Sequence, residues 1–260
     1  MIFDFLNILS LLTIFASVIW LVDILCGRIK KIPTEKGTKP PLIIDYARSF
    51  FPILLIVLII RSFLFQPYRV PTGSLEPTIM PGDMILVNQY DYGLRVPLWN
   101  KKIVDIGEPK RGQIALFRWP VNPGATFVKR VIGVPGDRIT YQDKIFYING
   151  KEMSQKFIKN TLEIGDDGKT WPAKEYEEDL NGVKHLIILR PDRPAQNFKD
   201  LIVLKGKYVM IGDNRDDSDD SRSWGFVPAG NFIGRAILIW MSWDSQKNRV
   251  RWERIGDRFS

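Results

Sequence analysis

A chain of 260 residues with 45% hydrophobic content can bury a proper core in one or two domains and is too apolar to be disordered. One cysteine (Cys26) excludes an internal disulfide framework, and with a single histidine (His185) it cannot build a structural zinc site; no metal or cofactor is expected. The net charge of +8 comes from bases scattered among acids, with no Lys/Arg-rich run and no nucleic-acid motif, so nucleic acid is not an expected partner.

In chain order, the first element is Phe5–Val22, a nearly continuous apolar stretch that, with its flanks, reaches the roughly 20 residues needed to cross a bilayer. A cleavable signal peptide fits it poorly, since no Lys or Arg precedes the run and no small-x-small site follows. The second stretch is Phe50–Phe65, centred on the unbroken run Ile53–Ile60. Pro52 is expected in its first turn, where proline is tolerated, and Arg61 near its end, where a long side chain can snorkel. Between the two stretches, Gly27–Arg48 holds six of the seven basic residues of the first 66. The positive-inside rule makes that segment cytoplasmic and places everything after Gln66 outside. The expected organisation is a first span over 1–26, a basic loop over 27–48 and a second span over 49–66.

From Gln66 onward, short runs rich in Val, Ile, Phe and Tyr alternate with Gly/Pro/Asp turns. Strands are predicted at Met84–Val87, Gln113–Arg118, Thr126–Gly133, Arg138–Ile148, Leu186–Leu189, Lys207–Gly212 and Phe232–Met241. The polar stretch Gly150–Gln196 interrupts them. The predicted fold is therefore mainly β: two transmembrane helices, then an antiparallel β-domain over 67–148 and 201–260, with 149–200 as a smaller inserted subdomain or an extended loop.

Three segments carry candidate chemistry. Val70–Thr78 places Thr72 and Ser74 in a Pro-bounded turn shortly after the second span, which by itself is common turn chemistry. In Phe127–Asp137, alternation puts Phe127 and Lys129 on one face and Val128 and Arg130 on the other. A lysine on an edge strand faces solvent; one held in an apolar setting loses its proton more easily and can act as a general base. Gly212–Gly225 mixes Asp, Asn, Ser and Arg without the glycine and terminal Glu of a calcium loop, and suits a salt-bridged loop.

Taken in order, these segments, with Pro109–Phe117 and the closing Gly234–Asp244 (GRAILIWMSWD), closely resemble the bacterial type I signal peptidases, membrane-bound Ser/Lys serine proteases. The resemblance implies Ser74 as nucleophile and Lys129 as its general base. It implies Thr72 and the Ser74 backbone N–H as oxyanion donors, and Ser218 as the hydroxyl that orients the lysine. Asp220 with Arg222, and Arg130 with Asp213, match supporting ion pairs. Tyr68, Val70, Leu75, Ile85, Leu116, Phe127 and Val128 fall where the family lines its substrate pockets. The implied function is hydrolytic removal of signal peptides from exported precursor proteins, downstream of the secretion machinery, on the outer, periplasmic side of the bacterial inner membrane. Trp240, Trp243 and Trp252 either rest on lipid headgroups or pack in the core. Leu75 stands where the family more often has Met, and Thr72 where Ser is frequent; the insert lacks the Cys pair of some relatives. The rival reading of another class is a membrane-anchored β-domain that binds envelope partners without catalysis.

Overall fold

The computed structural model describes residues 5–29, 41–95, 102–165 and 168–259, and the chain divides into two units: 1–65 with 93–105, and 66–92 with 106–260. In the first unit, two helices, Phe5–Ile29 and Leu42–Ile59, are each long and apolar enough to cross a membrane. Their bounds correct the sequence expectation. The second helix starts at Leu42, capped by Pro41, so Pro52 lies inside it and not in its first turn, and a π-helical turn over Ile60–Leu64 continues it. The first helix likewise runs into the expected loop. The early start is explained by charge pairing: Arg48 Nη2 lies 2.6 Å from Asp23 Oδ2 on the first helix, which lets a charged turn belong to the helix instead of a loop. The centre of the basic segment, 30–40, lies outside the described residues.

The second unit is built on an antiparallel sheet whose strands run in the order 65–69, 83–88, 232–244, 114–118, 126–133, 207–211 and 227–228. Both faces of its centre are covered. Ile114 and Leu116 pack with Val70, Leu75, Ile85 and Val128 on one side; Ala115 and Phe117 pack with Val131, Met210 and Phe232 on the other. That two-sided burial is why 114–117 reads as a continuous apolar run instead of an alternating one.

The expected strand Arg138–Ile148 is a hairpin, Arg138–Gln142 and Ile145–Ile148. Asp143 and Lys144 turn it at φ 50° and 69°, the doubly positive geometry of a tight two-residue turn. Without a glycine there, the turn left no mark in the sequence. The polar insert forms its own three-stranded sheet, Gln155–Ile164, Thr170–Asp179 and Lys184–Leu189. Its last strand joins the main domain: Ile188 N–H donates to the Asp213 carbonyl at 3.0 Å, and Arg215 N–H to the Ile188 carbonyl at 3.1 Å. Trp240 and Trp252 are exposed on the surface.

Candidate active site

The chain leaves the strand Phe65–Arg69, makes a compact turn and returns into Asp83–Asn88. Leu75 and Ile79, both fully buried, anchor the turn in the core. Glu76 N–H donates to the Gly73 carbonyl at 2.9 Å and Ile79 N–H to the Leu75 carbonyl at 3.0 Å, which holds Ser74 at the apex. A cleft of about 500 Å³ opens there, lined by Thr72, Ser74, Lys129 and Ser218 with the apolar Tyr68, Val70, Phe127 and Val128.

Lys129 sits on the sheet strand opposite Ala115, with its Nζ 5.9 Å from the Phe127 ring centroid. It is only 4% exposed. Burial pushes its amine down from 10.5 to about 8, against the attraction of Asp220, Asp219 and Asp213. Ser74 and Lys129 both line this cleft. The Ser218 hydroxyl oxygen is buried and has no hydrogen-bond partner among the described residues.

Two buried ion pairs hold this floor. Arg130 grips Asp213 with two hydrogen bonds, at 2.8 and 2.7 Å, and donates to the Gly112 carbonyl at 2.6 Å. Thr78 Oγ1 donates to the same carboxylate at 2.7 Å, tying it to the serine turn. Burial alone would raise the Asp213 carboxyl; Arg130 reverses this and holds it below its ordinary range. Asp220 caps the short helix Ser221–Trp224, accepts from Gly212 N–H at 3.1 Å and pairs with Arg222 at 2.8 and 2.7 Å. It too is held low, with Arg222 overcoming the cost of burial. Gly212 is required by close approach: a Cβ there would lie 2.2 Å from Ser218 Oγ and 2.4 Å from the Ser74 carbonyl oxygen.

The structure brings Ser74, Thr72, Lys129 and Ser218 into one cleft, with both ion pairs behind it. Of the seven expected pocket residues, Tyr68, Val70, Phe127 and Val128 line it, while Leu75, Ile85 and Leu116 are core residues not among the lining. His185 does not line it either. It is buried, 3.3 Å from Glu178 Oε2 and 3.8 Å from Asp213 Oδ1, and burial and then Arg130 hold it below the usual histidine range. Sequence reasoning missed Glu76, Glu163 and Asn214. Glu76 follows Ser74 by two positions; burial, then Glu163, push its carboxyl from 4.5 up to about 7. Its place in the Ser74 motif was a signal, as was Asn214's beside Asp213; Glu163, in the polar insert, had none.

Residues 43–243 match the family model described as signal peptidase, peptidase S26. A signal peptidase I of Pseudomonas fluorescens is 42% identical over 229 residues, spanning 82% of this chain and 78% of the relative. One of Pseudomonas aeruginosa is 39% identical, spanning 85% of this chain and 81% of the relative. A crystal structure of a signal peptidase I from Enterococcus faecalis is 30% identical, covers 49% of this chain and 96% of its own, and aligns with a TM-score of 0.33. The chain belongs to the peptidase S26 family of signal peptidases. Nothing in these likenesses favours the non-catalytic reading.

Proposed function

We propose that this chain is a membrane-anchored signal peptidase that cleaves precursors by serine acyl transfer, with Ser74 as nucleophile and Lys129 as general base. The observation that carries the reading is the buried Lys129 in the cleft that also holds Ser74, its amine pushed down to about 8. At neutral pH about one such amine in ten is already neutral, against fewer than about one in a thousand for an ordinary lysine. A serine hydroxyl is a weak nucleophile without a base to take its proton, and a neutral lysine replaces histidine in this role.

The steps follow from those roles. Ser74 Oγ attacks the scissile carbonyl carbon while its proton passes to Lys129 Nζ. The resulting oxyanion accepts hydrogen bonds from the Ser74 backbone N–H and the Thr72 hydroxyl. Collapse of the intermediate breaks the C–N bond, and Lys129 gives its proton to the departing amine. A water, deprotonated by the same lysine, then attacks the acyl ester; the Ser74 Oγ–acyl bond breaks, Lys129 returns the proton to Ser74 Oγ, and the signal peptide leaves. Ser218 orients the lysine, and its unpartnered Oγ is free to accept from Nζ. Asp220 with Arg222 and Arg130 with Asp213 keep the loop in place. The Val70, Val128 and Phe127 walls favour small apolar residues before the cleavage point.

The substrate is a signal-peptide-bearing precursor handed on by the secretion machinery. The basic residues between the two apolar helices support, by the positive-inside rule, a β-domain on the outer face of a bacterial inner membrane, where the exposed Trp240 and Trp252 suit contact with lipid headgroups. The test is cleavage of a precursor by detergent-solubilised protein, with Ser74→Ala and Lys129→Ala beside it. Both variants should be inactive; full activity in either would remove the dyad.

A further inference from the structure

The insert sends one side chain to the serine turn. Glu163, on the strand Gln155–Ile164, is fully buried, and its Oε1 accepts from Asn214 Nδ2 at 3.1 Å. The same Nδ2 donates to the Gly73 carbonyl at 3.4 Å, and the Asn214 backbone N–H donates to the Ser74 carbonyl at 3.2 Å. Asn214 therefore grips the carbonyls on both sides of Ser74's N–Cα–C unit. A carbonyl oxygen can only accept, so the amide must present its NH₂ side to Gly73. Its second N–H then needs an acceptor, which Glu163 supplies.

The arrangement is costly as mere packing. Asn214 Oδ1 is buried without a hydrogen-bond partner, and the Glu163 carboxyl is pushed above its ordinary range by burial and by Asp217 beside it, with Arg190 Nε 3.8 Å from its Oε2. A buried amide oxygen left unpaired and a buried carboxyl set against a second acid make sense if the remaining hydrogen bonds hold something that needs direction. That something is the peptide unit between Gly73 and Ser74. It is planar and trans, so the Gly73 carbonyl and the Ser74 N–H point in opposite directions. Fixing the first aims the second.

We propose that Glu163 is a positioning residue for the oxyanion donor: it orients the Asn214 amide, which through the Gly73 carbonyl aims the Ser74 N–H into the cleft. This gives the polar insert a role in the reaction, and it rests on the reading of Ser74 as nucleophile. Loss of a whole oxyanion donor costs about 10²–10³ in kcat; a donor left in place but misaimed should cost part of that, roughly tenfold.

The experiment measures precursor cleavage by the full chain in detergent for Glu163→Ala, Glu163→Gln, Asn214→Ala and the Glu163→Ala/Asn214→Ala double variant, with melting temperatures alongside. The single alanine variants should lose about tenfold in kcat with KM within about twofold, because an oxyanion contact is made in the transition state and not in substrate binding. The double variant should be no worse than Asn214→Ala alone, since both act through one contact. Glu163→Gln, whose amide oxygen still accepts, should recover to within about threefold of wild type. Wild-type kcat in Glu163→Ala, losses that multiply in the double variant, or a Gln variant as impaired as the Ala variant would overturn the relay. If Glu163→Ala does not fold, Glu163→Gln and Asn214→Ala decide alone: wild-type kcat in Asn214→Ala, or a Gln variant as impaired as Asn214→Ala, overturns it. Ser74→Ala is the separate control: cleavage by that variant sinks the nucleophile reading, whatever the relay does.

Discussion

Replacing Lys129 with Met should abolish cleavage and, at neutral pH, stabilise the fold. The lysine is 4% exposed, and its folded value is about 8 against 10.5 for a free side chain. At about 1.4 kcal/mol per pKa unit, keeping the proton on this amine below pH 8 costs the folded state roughly 3 kcal/mol. The attractions of Asp220, Asp219 and Asp213 are already netted into that shift. Methionine has similar length and no charge, so the variant should be more stable than wild type at pH 7 by up to that amount. The direction with pH is fixed by proton counting. Between about 8 and 10.5 the unfolded chain holds the proton and the folded chain does not, so wild type gains stability as pH rises through this window. The variant has no such gain, and the gap between them should close towards pH 10.5. Urea unfolding of the detergent-solubilised full chain, followed by tryptophan fluorescence at steps across this range, reads the gap directly. A Lys129→Met chain less stable than wild type at pH 7, or a gap that does not change with pH, would refute the claim that a dry, strained amine sits in this cleft.

The same amine sets the acid limb of activity: kcat/KM should rise with pH towards a plateau above about 8, and a rate flat from pH 7 to 9 would contradict it. Glu76, pushed from 4.5 up to about 7 by burial, then by Glu163 and Asp217 against Arg251 and Arg254, keeps its proton in the folded state while the unfolded chain loses it. Stability should therefore fall as pH rises through that window; Glu76→Gln should remove this slope and be the more stable chain above pH 7, by roughly 2–3 kcal/mol. An unchanged slope in unfolding titrations would show that Glu76 is not dehydrated. Gly212→Ala puts a methyl 2.2 Å from Ser218 Oγ and 2.4 Å from the Ser74 carbonyl oxygen, and should lower kcat at least about a hundredfold by displacing both; near-normal kcat would mean the loop gives way at no cost. Arg222→Met leaves the fully buried Asp220 carboxylate without its partner and should cost about 3–5 kcal/mol in denaturant unfolding, with a loss under about 1 kcal/mol counting against the pair.

Much of this protein was legible in order of residues alone. Two long apolar runs mark the helices because a bilayer demands length and apolarity and nothing more specific. Short runs rich in Val, Ile, Phe and Tyr between Gly/Pro/Asp turns mark most strands of the β-domain, including 126–133 at its observed bounds. The motifs around Ser74, Lys129 and Ser218 name the family through residue identity. What failed were features without a local signature. The hairpin at Asp143–Lys144 uses positive φ in residues that rarely adopt it, and the second helix begins early because Arg48 finds Asp23 on another helix. Leu75, Ile85 and Leu116 are as apolar as their neighbours; only their packing decides that they form core and not cleft wall.

Tertiary structure alone decided the electrostatics. Alternation could place Lys129 on the face of Phe127, but whether that face is wet or dry depends on Ala115 beside it and on the loop that covers it. The link from Glu163 to Asn214 to Gly73 joins residues 51 and 141 positions apart. Residue order determines which groups the chain carries and which local shapes they favour. The free energy of a charge or a polar atom depends on how much water and which partners surround it, and those are supplied by distant segments only once the chain has folded.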